Sequence, residues 1–238
     1  LPVVETPPET PHFTTFKSTI GKTEWQAVKQ RWQQQGVTPS AALLTLFAAT
    51  LERWSRTTTF TLNLTFFNRQ PIHPQINQLI GDFTSVTLVD FNFSAPVTLQ
   101  EQMQQTQQRL WQNMAHSEMN GVEVIRELGR LRGSQRQPLM PVVFTSMLGM
   151  TLEGMTIDQA MSHLFGEPCY VFTQTPQVWL DHQVMESDGE LMFSWYCMDN
   201  VLEPGAAEAM FNDYCAILQA VIAAPESLKT LASGIARH

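Results

Sequence analysis

Asp181 and His182 stand side by side in Gln177-Val178-Trp179-Leu180-Asp181-His182-Gln183, a run that otherwise reads as a buried strand. Strand alternation sends Val178, Leu180 and His182 to one face and Gln177, Trp179, Asp181 and Gln183 to the other. A carboxylate there is costly to bury unless it is paired, hydrogen-bonded or used. With its pKa raised by its neighbours, Asp181 can act as a general acid or base. The competing reading is a carboxylate tied to a backbone N–H or a basic partner. His182, on the other face, reads as a packed core histidine. A second run, Pro141-Val142-Val143-Phe144-Thr145-Ser146, ends an apolar strand on two hydroxyls. Thr145 and Ser146 could donate to a developing oxyanion or hold a proton-relay water, or satisfy local backbone groups. The two runs are expected to be two walls of one site. Asp82 follows Gly81 at the head of a strand, as a loop cap or a site carboxylate, the cap being favoured. Asn68-Arg69 opens a loop that could bind substrate or be an ordinary turn.

The elements that must position these groups can be read from periodicity. Phe13 to Ile20 alternates as a strand. Lys22 to Gln35 is a helix, with Trp25, Val28 and Trp32 at spacings of three and four and Gly36 closing it. Thr38-Pro39-Ser40 opens a second helix striped by Leu44, Phe47, Leu51 and Trp54. Strands are expected at 59–67 and 83–91, separated by a loop holding Pro71, Pro74 and Gly81. Helices follow at 98–116 and 121–131. Beyond the Val142 strand, Met147 to Pro168 reads as irregular. Strands at 177–186 and 190–197 meet at a Ser187-Asp188-Gly189 turn. A helix at 206–221 and a short one at 226–233 end the chain. Helices and strands mix without strict βαβ repetition, which predicts an α/β sandwich: a mixed sheet with helices packed on one main face.

Composition narrows the function. Charged residues are 15% of the 238, against roughly 25% in an ordinary soluble domain, so Gln, Asn, Ser and Thr must supply much of the polar surface. A net charge of −8 argues against nucleic acid or an anionic membrane as the main partner. No apolar run approaches a membrane span, and no signal peptide opens the chain. Cys169, Cys197 and Cys215 are widely spaced and lack metal-ligand spacing, so reduced, mostly buried thiols of a cytoplasmic protein are expected, with no metal site. There is no GxSxG elbow, Walker loop, GxGxxG after a strand, HExxH or HHxxxDG. Residues 1–11 have the proline-rich composition of a linker, which suggests a piece of a longer polypeptide.

Five runs together resemble the heterocyclization domain of nonribosomal peptide synthetases, a relative of the condensation domain. They are Thr38-Pro-Ser-Ala-Ala-Leu-Leu with Leu51-Glu-Arg-Trp-Ser55, Asn68-Arg-Gln-Pro-Ile-His-Pro74, Gly81-Asp-Phe-Thr-Ser85, Pro141-Val-Val-Phe-Thr-Ser146 and Gln174-Thr-Pro-Gln-Val-Trp-Leu-Asp-His-Gln183. Their order matches the family's and they span most of the chain. The low charge and Gln-rich helices suit a siderophore synthetase, such as one of yersiniabactin type.

The resemblance implies a chloramphenicol-acetyltransferase-like lobe. The family has two such lobes facing each other across a tunnel, and two carrier proteins deliver thioester-bound substrates from its ends. The family's DxxxxD motif is absent, so residues 12–238 resemble the C-terminal lobe alone, with 1–11 as the inter-lobe linker. The implied partners are the N-terminal lobe, donor and acceptor peptidyl carrier proteins and an adjacent adenylation domain. No cofactor is implied in this lobe, since substrates arrive on phosphopantetheine arms. The implied reaction joins a carrier-bound acyl group to a carrier-bound cysteine, serine or threonine. It then cyclodehydrates the amide to a thiazoline or oxazoline. The motifs carry the family's cyclodehydration residues onto Thr145 and Asp181; Gln183 is expected to support the site from Asp181's face of the strand, and Ser146, Asn68 and Asp82 remain candidates for substrate binding or support. A non-catalytic carrier-docking lobe and an acyltransferase that only makes the amide are the alternatives. Alone, the lobe is expected to be inactive and prone to self-association through an apolar tunnel wall. One departure stands out: the family's Trp-Asp pair is Trp195-Tyr196 here, and its Phe-Pro is Glu203-Pro204. The lost aspartate is expected to affect a structural contact or a carrier-facing surface, away from Thr145 and Asp181.

Overall fold

A computed structural model of the chain describes residues 1–4, 11–67, 72–79, 81–116, 120–133, 138–152, 155–166, 175, 177–224 and 229. Eight strands and six α-helices are described. The strands are β1 (Phe13–Ile20), β2 (Thr59–Phe67), β3 (Thr84–Asn92), β4 (Val142–Ser146), β5 (Thr151–Leu152), β6 (Met155–Thr156), β7 (Leu180–Ser187) and β8 (Glu190–Met198). The helices are α1 (Lys22–Gln34), α2 (Pro39–Arg53), α3 (Leu99–Ala115), α4 (Gly121–Arg132), α5 (Ile157–Phe165) and α6 (Ala206–Ala223).

Six strands form one mixed sheet in the order β1-β8-β7-β4-β2-β3, in which β2, β4 and β7 run parallel and the other pairs antiparallel. This is the predicted α/β architecture. The central parallel strands explain why the Val142 run reads as almost continuously apolar: Val142, Val143 and Phe144 are all buried.

Most of the helices gather on one face. Helix α2 begins where expected, because Thr38 accepts the Ala41 N–H and Pro39 occupies the first turn. Twelve of its residues are buried, so it is the central core helix and not an amphipathic surface one. Its Phe47 meets Phe144 of β4, Trp195 of β8 and Tyr214 of α6. Helix α3 starts on a complete capping box between Thr98 and Glu101. Its Asn113 donates to the Leu88 carbonyl at 2.9 Å, and its Arg109 to the Asp90 carbonyl. These two side chains occupy acceptors on the outer edge of β3, which an unpaired edge strand would otherwise leave open.

The segment read as irregular, 147–168, contains a small hairpin of β5 and β6 and then α5. Those elements are two, two and nine residues long, too short for hydrophobic periodicity to show them. The expected terminal helix at 226–233 lies almost wholly outside the described residues, as do Cys169 and residues 5–10 of the proline-rich segment. Residues 1–4 run along the start of the β8–α6 connection: Val3 bridges Leu202, and Val4 N–H donates to Val201 O at 2.8 Å.

Candidate active site

The open face of the sheet carries the polar groups. On β7, Leu180 and His182 point into the aromatic core while Asp181 and Gln183 point the other way, as alternation requires. The expectation fails further upstream. Gln177 has φ 66°, a turn conformation rather than strand, and β7 begins only at Leu180. The kink puts Val178 in the same cavity as Asp181, whereas unbroken alternation would have placed it with His182.

The Thr145 and Asp181 runs are not two walls. They are neighbouring parallel strands of one floor, with Val143 paired to Asp181 and Thr145 to Gln183. Asp181 is 7% exposed and accepts two hydrogen bonds. Thr145 Oγ1 donates to its Oδ1 at 3.2 Å, and Gln183 Nε2 to its Oδ2 at 2.7 Å. Burial pushes Asp181 above the ordinary carboxylate range, while the bonds from Gln183 and Thr145 pull against that rise by favouring the anion. No cation pairs with it among the described residues, so a proton is the remaining means of neutralising it.

The cavity over this floor has a volume of about 350 Å3. Its polar lining includes Asn63, Thr65, Thr145, Asp181 and Gln183, with Thr84, Thr175 and Gln177 further out, and its apolar side includes Val122 and Ile125 of α4 with Val86, Leu139 and Met140. Helix α4 reaches this position because Gly121 has no side chain: a Cβ there would lie 2.9 Å from the Val86 carbonyl oxygen.

Of the other expected site residues, only Gln183 joins Asp181 and Thr145. Ser146 faces the opposite side of β4, where its hydroxyl shares a 2.7 Å hydrogen bond with Ser40 at the start of α2. It lines a separate, larger cavity near Trp25 and Glu186. One residue of strand register separates it from Thr145, and that residue reverses its direction. Asp82 is exposed and accepts the Thr84 N–H at 2.8 Å, which lowers its pKa, so its side chain caps the start of β3. Asn68 lies outside the described residues.

Two residues were missed by the sequence reading. Asn63 sits on β2, paired with Val143. Its Nδ2 donates to the Met140 carbonyl at 2.7 Å, while its Oδ1 is buried in the site without a donor among the described residues. An asparagine inside Thr-Phe-Thr-Leu-Asn-Leu-Thr was the available signal, since β-strands disfavour it. The second is Tyr196, which stands directly across β8 from Asp181. Burial raises its pKa, and the Asp181 charge adds to the rise. The departure at Trp195-Tyr196 therefore does fall beside Asp181, contrary to expectation, because the β7–β8 register brings the two together.

His182 takes the role expected of it. It is fully buried, with Nε2 3.0 Å from the Tyr214 hydroxyl, and burial pulls its pKa down to about 3. A neutral imidazole packed among Phe47, Phe144 and Trp195 is structural.

Comparison with known proteins agrees with the resemblance. The condensation-domain family model matches residues 1–231. Pyochelin synthetase PchF of Pseudomonas aeruginosa is 34% identical over 221 residues, which are 90% of this chain and 12% of that protein. Phenyloxazoline synthase MbtB of Mycobacterium tuberculosis is 40% identical over 186 residues, 78% of this chain and 13% of that one. The chain thus spans about an eighth of these relatives' length. Among solved structures, the cyclization-docking bidomain of the EpoB nonribosomal peptide synthetase from Sorangium cellulosum superimposes with TM-score 0.83 at 36% identity. That match covers 95% of this chain and 45% of the other. The four-domain synthetase AB3403, at 16% identity and TM-score 0.73, shares the fold. The chain belongs to the condensation-domain family of nonribosomal peptide synthetases, and its relatives are of the heterocyclization type.

Proposed function

We propose that this chain is the C-terminal lobe of a heterocyclization domain and that Asp181 carries the proton in ring closure. The observation behind this reading is a buried carboxylate with a raised pKa, held by Thr145 and Gln183 on the floor of a substrate-sized cavity. The amine of a carrier-bound cysteine, serine or threonine attacks the donor thioester; a C–N bond forms, the C–S bond breaks and the donor carrier leaves as its thiol. The side-chain thiol or hydroxyl then adds to the new amide carbonyl, giving a five-membered ring whose carbon bears a hydroxyl. Hydroxide is a poor leaving group. Asp181, as the acid, protonates it; the C–O bond breaks and water departs. The ring nitrogen gives up its proton as the C=N bond forms, and the Asp181 carboxylate recovers it, so one water is lost and the aspartate ends as it began. Thr145 orients the carboxyl, and the free Asn63 Oδ1 is an acceptor suited to the ring N–H.

This chemistry suits the relatives, one named for phenyloxazoline formation and one structural neighbour for cyclization. The substrates would arrive on carrier proteins, and amide formation would draw on the N-terminal lobe, so the isolated lobe should not turn over. A docking-only lobe gives no reason for a buried, hydrogen-bonded carboxylate in a cavity. The test is Asp181→Asn in the complete two-lobe domain, supplied with both loaded carriers and read by intact-protein mass spectrometry. Accumulation of the uncyclized amide, one water heavier than the ring, is expected. Normal ring formation would make Asp181 structural.

A further inference from the structure

We infer that Val122 and Ile125 of α4 are the wall against which the donor acyl group lies, and that they favour an apolar group such as an aromatic ring over a smaller one. This rests on the ring-closing role proposed for Asp181. The leaving hydroxyl and the donor's substituent are bonded to the same ring carbon. A hydroxyl held at Asp181 therefore fixes the donor group in the same cavity. Val122 is 47% exposed and Ile125 half-buried, so neither is consumed by the core, and both line that cavity.

Their position is built, not incidental. Asn120 caps α4 by accepting the Glu123 N–H at 3.0 Å, and Gly121 lets the first turn of the helix approach the β3 backbone. At the other end, Leu139 packs near Gly129. The helix is thus held over the sheet at two points, with the apolar side chains of Val122 and Ile125 turned to the cavity. The cavity of about 350 Å3 has room for a ring-sized group beside the nascent five-membered ring. A donor with polar atoms turned to Val122 and Ile125 would leave those atoms without partners there.

The experiment is a competition in the complete two-lobe domain. Acetyl-loaded and benzoyl-loaded donor carriers are mixed in equal amounts with a cysteine-loaded acceptor, and total ligated product, amide plus ring, is counted by mass. The product ratio is independent of how much of a variant folds. The wild type should favour benzoyl. Ile125→Trp, which fills the cavity, should shift the ratio toward acetyl by tenfold or more. Val122→Ala, which widens it, should admit naphthoyl in competition with benzoyl. A ratio unmoved by both variants overturns the inference. Asp181→Asn in the same competition separates the two readings: it should keep the benzoyl preference while yielding uncyclized product. Ring formation by that variant would sink the proton role, whatever the ratio.

Discussion

The Thr145 hydroxyl reaches Asp181 diagonally, from one parallel strand to the next and two residues out of register, at 3.2 Å. Gln183, directly across from Thr145, holds the other carboxylate oxygen from its own strand. The carboxyl is therefore fixed from two directions and can present one oriented O–H to a substrate. Replacing Thr145 by valine keeps the shape and removes the donor. Ring closure should fall on the order of a hundredfold, with amide formation little changed. Thr145→Ser should restore most of the loss. The ratio of amide to ring in intact-protein spectra measures both. Equal loss of amide and ring would assign Thr145 to folding instead.

Gln183 can be tested through pH. Its hydrogen bond favours the charged form of Asp181 and so holds the pKa down against burial. Gln183→Leu removes that restraint, and the pKa should rise. The protonated fraction then persists to higher pH, so the alkaline limb of the ring-closure profile should move upward. A profile that stays in place, or moves to lower pH, would count against Asp181 as the acid.

His182 predicts a stability effect of the opposite kind. Its folded pKa of about 3 lies far below the ordinary histidine value of 6.5, so the unfolded chain binds the extra proton between those two pH values. Its contribution is complete above pH 6.5 and is lost as pH falls toward 3, with a slope approaching about 1.4 kcal/mol per pH unit. Denaturant unfolding of wild type and His182→Phe, run across this range, should diverge by that slope. Parallel curves would mean that His182 stays protonated in the fold.

Gly121→Ala tests how α4 is seated. The new methyl would lie 2.9 Å from a backbone oxygen and 3.0 Å from a Val86 methyl, so helix or strand must shift. Overpacking of this kind costs about 1–3 kcal/mol. Chemical denaturation should show that loss, and hydrogen exchange should speed up in α4 before the central strands. Unchanged stability would show that the helix has room to ride outward.

Much of the fold was legible because local patterns carried it. The Phe13–Ile20 and Thr59–Phe67 strands and the Thr38 cap needed only alternation and a hydroxyl before a proline. Residue types suggested that the Thr145 and Asp181 runs share one site, and the family resemblance singled out the two side chains, but no local signal gives the strand pairing of positions 36 residues apart. The same limit hid Asn63 and Tyr196, which reach Asp181's neighbourhood only through sheet register. Ser146 was drawn into the site by adjacency in sequence. In a strand, adjacency means opposite faces. Gln177 misled for a different reason: a positive φ at a non-glycine residue has no reliable sequence mark, and it broke the alternation before the strand began.

Asp181 and His182 also guard the fidelity of assembly. A slip of β7 by one residue against β4 would exchange them, thrusting a carboxylate among Phe47, Phe144 and Trp195 and leaving Tyr214 without its imidazole. That misalignment would bury an unpartnered charge in an aromatic cage, so the wrong sheet is penalised by the side chain on which the chemistry rests. Mutating Asp181 to a neutral residue should therefore do two things at once: silence ring closure and relax the proofreading of the sheet.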